Sequence, residues 1–279
     1  MIQRAIHHIR ETAKVPSFSS YEERLHPYIR SVFKTVPVAQ ELDVDGNNLI
    51  FRLNNDSGKP TLVFAAHLDK INHFGRFFSD LLPVDNTDEF IEGAMDDSAG
   101  LGILLTIAEL SSGNNWPNLL FFFSEMEESK GLKEHPELLK NKGEGYEHGM
   151  GATRISKYCL EHDIIPDEII TIDTTPLFKG QPGLALYSKH WELNALTPAE
   201  DLIRKTKETV NRFKSIDSGI KNDNNTNDYL KYGEEFNRQS NKAVVSVALE
   251  PAIFPYHQKG ERGYMWMIFA ALWTLSWLI

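Results

Sequence analysis

Apolar runs recur along this chain at lengths that suit strands covered on both faces, with helical patterns between them. Leu62–Ala66 and Leu119–Phe123 are each five consecutive apolar residues, and Glu168–Ile172 and Ala243–Ala248 have the same character. Runs of this kind belong to strands buried beneath helices on both sides, whereas a half-exposed strand would alternate. A further strand, Asn48 to Leu53, follows the turn signal Asp45-Gly46-Asn47. Met1 to Lys14 has the periodicity of an amphipathic helix, Pro16 to Ser20 interrupts it, and Ser20 is placed to cap the turn that Tyr21-Glu22-Glu23 begins. Ala99–Leu110, Thr153–Glu161 and Ala199–Phe213 are the other predicted helices. Alternating strands and helices predict an α/β protein, a three-layer α/β/α arrangement on a central mixed, mostly parallel sheet. No linker interrupts residues 1–279, which read as one catalytic domain. Residues 130–150, rich in Lys, Glu and Gly, read as a surface insertion, and the Asn- and Asp-rich residues 222–227 as a loop.

The stretch 263–279 carries no charge and includes Trp266, Trp273 and Trp277. It is slightly short of the ~20 residues that a membrane-spanning helix needs, so it predicts an apolar final helix against the sheet instead of an anchor. Composition sharpens the picture in two places. A formal net charge of −10 argues against a nucleic-acid partner, which requires a basic surface. The single cysteine, Cys159, excludes an intrachain disulfide and any cysteine-based metal site. With a charged amphipathic N-terminus that does not read as a signal peptide, it points to a cytoplasmic protein.

Chemistry enters at the strand ends. His67 with Asp69, Glu127 with Glu128, Asp173 and His257 each follow an apolar run, and the Asp96-Asp97 pair opens a helix. Ligand sites in open α/β sheets lie beyond the carboxyl ends of the strands, so these residues can converge. Gathering so many carboxylates is unfavourable unless cations bind among them. Imidazole and carboxylate donors without thiolate suit zinc, with cobalt or manganese as alternatives. Each motif alone has a plainer explanation. Glu127-Glu128 could open a solvated helix, with Glu125 as a rival; Asp97 or Ser98 suits a helix cap; His257 could be a loop histidine. His73, His135, His148 and His190 are competing ligands without strand-end positions.

Taken in order, the motifs resemble the dinuclear zinc exopeptidases, the family of leucyl aminopeptidases, glutamate carboxypeptidases and amino-acid deacylases. The resemblance runs from Val15-Pro16-Ser17-Phe18-Ser19 through His67-Leu68-Asp69, Gly93-Ala94-Met95-Asp96-Asp97 and Glu127-Glu128 to Asp173 and Tyr256-His257. It implies the family's zinc-exopeptidase (phosphorylase/hydrolase-like) fold and two zinc ions per chain. His67 and Asp173 would hold one ion, Glu128 and His257 the other, and Asp96 would bridge them. Glu127 would be the general base, and Asp69 would accept the free ring N–H of His67. A cis peptide between Asp96 and Asp97 is also implied. The 29 positions from His67 to Asp96 and the 84 from Asp173 to His257 leave no room for the extra domains of larger relatives, so the chain resembles the compact aminopeptidases. The expected substrate is a peptide or an N-acyl amino acid, with a homo-oligomer as one arrangement of the chain. Removal of N-terminal residues is the leading expectation. An amidase, deacylase or dipeptidase on the same metals is the nearest alternative, a glutaminyl cyclase-like activity is disfavoured by intact His67 and Asp96, and a non-catalytic binding domain is the reading from another class. Glu250 and Asp228 are placed to line the pocket near a substrate's amino group.

Overall fold

The computed structural model describes residues 1–111, 117–140 and 147–278. Eight strands form one mixed sheet: β1 (Gln40–Leu42), β2 (Leu49–Leu53), β3 (Thr61–His67), β6 (Asn118–Ser124), β7 (Glu168–Ile172), β8 (Leu184–Tyr187), β9 (Lys221–Asp223) and β10 (Val245–Pro251). A separate antiparallel sheet contains β4 (Asp85–Asn86), β5 (Phe90–Gly93), β11 (Ile253–Phe254) and β12 (Glu261–Tyr264). The helices are α1 (Ile2–Ala13), α2 (His26–Phe33), α3 (Met95–Leu110), α4 (Met150–Glu161), α5 (His190–Leu193), α6 (Glu200–Ile216), α7 (Asp228–Gln239) and α8 (Met265–Ser276).

The large sheet has the order β1-β2-β6-β3-β7-β10-β8-β9. Its centre, β6-β3-β7-β10, is parallel, and antiparallel pairings flank it at β2–β6 and β10–β8. Side chains two apart share a face. Leu62, Phe64 and Ala66 of β3 point with Leu119, Phe121 and Phe123 of β6 into a core shared with α1, α2, α3, α6 and α8. The alternate residues, Val63, Ala65, Leu120 and Phe122, pack with Ile155 and Cys159 of α4 and Tyr232 and Phe236 of α7. These unbroken apolar runs are therefore strands with both faces covered. Cys159 is a buried part of this packing.

Helix α8 buries Ile268, Ala271, Leu272 and Leu275 in the larger core, while Trp266 and Trp277 are 69% and 64% exposed. Among the described residues no helix is long and apolar enough to cross a membrane. Several local expectations need correction. Ser20 does not cap the short 3-10 turn Glu22–Arg24; its hydroxyl accepts the backbone N–H of Lys140. The expected loop at 222–227 begins within β9. Strands β4, β5, β8, β11 and β12 and helix α7 were not anticipated, being short or rich in polar residues. Of the insertion at 130–150, residues 141–146 lie outside the described residues; the part before them forms the 3-10 turns Glu128–Glu134 and Pro136–Leu138.

Helices α1 and α3 cross closely at Gly102, where an added Cβ would lie 2.7 Å from the backbone nitrogen of Ile9 and 2.3 Å from its Cγ1. Gly102→Ala should therefore lower stability by about 1–3 kcal/mol through overpacking, despite the higher helix propensity of alanine. Urea unfolding measures this, and equal or greater stability would show that α1 moves aside without cost.

Candidate metal centre

The parallel centre of the sheet brings three ligand-bearing ends to one edge. His67 is the last residue of β3 and lies in register with Ser124, the last of β6; Asp173 directly follows β7. Glu127 and Glu128 sit in the tight turn after β6, where Met126 has a φ of 55°. The fourth contribution comes by a different route than the sequence suggested. His257 is not at the end of β10 but in the loop between β11 and β12 of the small sheet.

That small sheet also places Asp96. β12 pairs with β5 so that Glu261 lies opposite Gly93, three residues before Asp96. The buried Glu261 carboxylate then accepts the backbone N–H groups of Met95 at 2.9 Å, Asp96 at 3.1 Å and His257 at 2.8 Å. One side chain thus holds the backbone of two candidate ligands. Sequence reasoning missed it, and its only sequence signal is an acid in a short strand close behind His257. The Asp96–Asp97 peptide is cis, as the family resemblance implied. Asp97 caps the regular part of α3, its Oδ1 accepting the N–H of Gly100 at 2.8 Å.

The candidate ligands converge. His67 Nε2 is 3.0 Å from Asp96 Oδ1 and 3.6 Å from Asp173 Oδ1. His257 Nε2 is 3.1 Å from Glu128 Oε1 and 3.3 Å from Asp96 Oδ2. Asp96 therefore faces both imidazoles, one with each oxygen. Three groups have donor atoms within 4.8 Å of one another: Asp96, Glu128 and His257; His67, Asp97 and Asp173; and His67, Glu127 and Glu128. Asp97, expected only as a cap, thus also enters a possible ligand set.

Asp69 does more than orient His67. The Nδ1 of His67 lies 3.0 Å from the Asp69 carbonyl oxygen and 3.3 Å from its Oδ1, so the backbone shares the expected role. The Asp69 carboxylate accepts the backbone N–H groups of Glu127 and Glu128, each at 2.9 Å, and the Ser19 hydroxyl at 2.7 Å. It therefore fixes the turn that presents both glutamates. Glu125 is engaged elsewhere, accepting from Asn47, Asn48 and Arg154, which removes it as a rival. Of the competing histidines, His148 is drawn in, its Nδ1 3.2 Å from Glu127 Oε1, and His73 lines the cavity beside Asp96. His135 is exposed beside Glu137, and His190 is buried beneath α7, with no hydrogen-bond partner for either ring nitrogen among the described residues.

The electrostatics follow from crowding. Burial and then the neighbouring Glu128 charge raise the Glu127 carboxyl well above the usual range. Burial works against the charged form of His257, but its hydrogen bonds to Asp96 and Glu128 outweigh that and raise it to about 10. His67 is likewise driven up, burial being overcome by Asp173, Asp69 and Asp96. The acids recruit protonated imidazoles as counter-charges, a task that divalent cations perform better once the imidazoles are neutral ligands. One buried atom agrees with that exchange: Asp97 Oδ2 has no hydrogen-bond partner among the described residues. The donor set of two imidazoles and several carboxylates fits first-row divalent ions.

Residues 48–144 match the model of Peptidase family M28. The match covers these 97 of the 279 residues. It spans His67, Asp69, Asp96, Glu127 and Glu128, while Asp173 and His257 lie beyond it and join through the fold. Peptidases of this family are metal-dependent, in keeping with the M28 segment's donor groups. No curated protein matches the sequence. Among solved structures, the TET1 peptidase of Pyrococcus horikoshii is similar over 98% of each chain, with a TM-score of 0.66 and 15% identity. An aminopeptidase from the archaeon Desulfurococcus kamchatkensis matches over 100% of this chain and 95% of its own, with a TM-score of 0.69 and 13% identity. A TET aminopeptidase from a marine-sediment Thaumarchaeota archaeon matches over 99% and 96%, with a TM-score of 0.69 and 10% identity. At these identities the likeness establishes a shared fold, and it extends well past the M28 segment.

Because Glu261 anchors the backbone at both Asp96 and His257, Glu261→Ala should weaken retention of divalent metal about 10–100-fold. Competition with a chelator measures this, and unchanged retention would show that the backbone needs no such anchor.

Proposed function

We propose that this chain is a metal-dependent aminopeptidase that removes N-terminal residues from peptides using two zinc ions. The observation that carries the reading is the meeting of His67, Asp96, Glu128, Asp173 and His257, within an M28 context, around a carboxylate that faces both imidazoles. In this reading His67 and Asp173 would hold one ion, Glu128 and His257 the other, and Asp96 both. Such a pair supplies Lewis acidity, making water a better nucleophile near neutral pH and polarising the peptide carbonyl.

The protein's own groups supply the rest. Glu127 takes the proton of the attacking water and returns it to the departing amine, without a serine or cysteine nucleophile. Asp69 holds Glu127 and Glu128 by their backbone N–H groups, so the base and its neighbouring ligand keep one spacing. A single catalytic domain acting in the cytoplasm is part of the same reading, supported by the absence of a linker and by the lone buried Cys159. So is a homo-oligomer, supported by the dodecamer described for a similar TET1 structure. Cobalt or manganese are the alternative ions.

Glu127→Gln should keep fold and metal content and lose about 10²–10⁴ in kcat on amino-acid p-nitroanilides, while chelation should abolish turnover by the wild type. Metal analysis alongside the assay checks both halves. Near-wild-type turnover in the variant removes Glu127 from the reaction, and cleavage of N-acetyl amino acids with no action on free N-termini would move the protein to the deacylases.

A further inference from the structure

A cavity of about 330 Å³ opens beside Asp96 and is not used by the mechanism above. Its walls are largely apolar, formed by Phe18, Phe74, Leu82, Val84 and Ala94, but Lys70 also lines it. Lys70 is 1% exposed. Its ammonium donates to Ser17 Oγ at 2.6 Å, and no ion pair among the described residues includes it. The Ser17 hydroxyl is itself committed to the carbonyl of Leu68 at 2.8 Å. Asp69, Asp97 and Glu261 act on Lys70 only through space, and two of these are already saturated with backbone donors.

A buried ammonium with unused donors is costly unless an anion comes to it. Burial lowers the Lys70 pKa to about 7, as expected for an ammonium lacking a close counter-ion. The other charged groups lining the cavity do not meet the need. Asp96 faces His67 and His257, Glu261 is occupied by three backbone N–H groups, Glu92 pairs with Arg262 at 2.8 Å, and Asp85 is exposed. Lys259 adds a second cation at the entrance, its ammonium 4.4 Å from the centre of the Phe74 ring.

We propose that this cavity binds a carboxylate of the substrate, with Lys70 as the residue that recognises it. The apolar walls would take the methylenes or backbone leading to that carboxylate, and Lys70 would supply a charge-assisted hydrogen bond in a dry setting. Two parts of a peptide offer this group: an acidic N-terminal side chain, or the terminal carboxylate of a dipeptide. The inference rests on the aminopeptidase reading for the identity of the substrate, though not for the existence of the site.

The test compares kcat/KM for glutamyl- against glutaminyl-p-nitroanilide, and for leucyl-glycine against leucyl-glycinamide, in wild type, Lys70→Met and Lys70→Arg. The wild type should favour the carboxylate member of one pair by about tenfold or more. Lys70→Met should erase that preference while leaving the neutral substrates within about threefold, and Lys70→Arg should keep it. The pair that responds identifies the source of the carboxylate. Equal rates within both pairs, or a uniform loss on all four substrates in Lys70→Met, would overturn the proposal and leave Lys70 as a general counter-charge to the acids. Calorimetry with L-glutamate against L-glutamine, and with D-leucyl-glycine against its amide, separates this from the parent reading. Carboxylate-selective binding that depends on Lys70, in a protein that cleaves no peptide, sustains the site and refutes the peptidase. Cleavage with no selectivity in either pair does the reverse.

Discussion

Crowding of negative charge at one rim of the sheet is the constraint around which the rest of this structure is organised. Asp69, Asp96, Asp97, Glu127, Asp173 and Glu261 are all buried there, with Glu128 partly so. They divide by what satisfies them. Asp69 and Glu261 are saturated by backbone N–H groups, which supply partial positive charge without needing an ion. Asp96, Glu128 and Asp173 instead face imidazoles, and Asp97 keeps one oxygen unpaired. The first kind forms the frame and the second the place where cations are needed. An inventory of acids in the sequence cannot make that division, because it is made by backbone geometry.

The sheet centre was legible because its strands are covered on both sides, leaving unbroken apolar runs such as Leu62–Ala66 and Leu119–Phe123. His67, Glu127, Glu128 and Asp173 inherit that clarity by standing at the ends of those runs. The small sheet was not legible. β4 and β11 are two residues each, and β12, Glu-Arg-Gly-Tyr, has no apolar pattern to betray it. Its pairing with β5 is decided by tertiary contact, so local propensity carries no trace of it. Hence the route by which His257 reaches the site was misplaced, although the residue itself stood out. Helix α7 escaped notice for a related reason: its sequence is mostly polar, and its buried residues, Asp228, Tyr229, Leu230, Tyr232, Gly233 and Phe236, include few aliphatic ones.

Asp69 and His148 show two ways in which function spreads beyond the ligands. Asp69 ties the end of β3 to the turn after β6, so that the position of His67 and the position of the glutamates depend on one carboxylate. His148 arrives from the segment that precedes α4 and meets Glu127 from the opposite side. Glu127 is therefore held through its backbone by Asp69 and touched at its tip by His148.

The bond from Asp96 to Glu261 spans 165 positions of sequence. Contacts of such separation form late, since the intervening chain must first be ordered. During synthesis the M28 segment emerges with His67, Asp96 and Glu128 in place along the chain, yet the partner strand that seats Asp96 is still to be made. Seating of Asp96 by Glu261 is thus deferred until β12 has docked against β5.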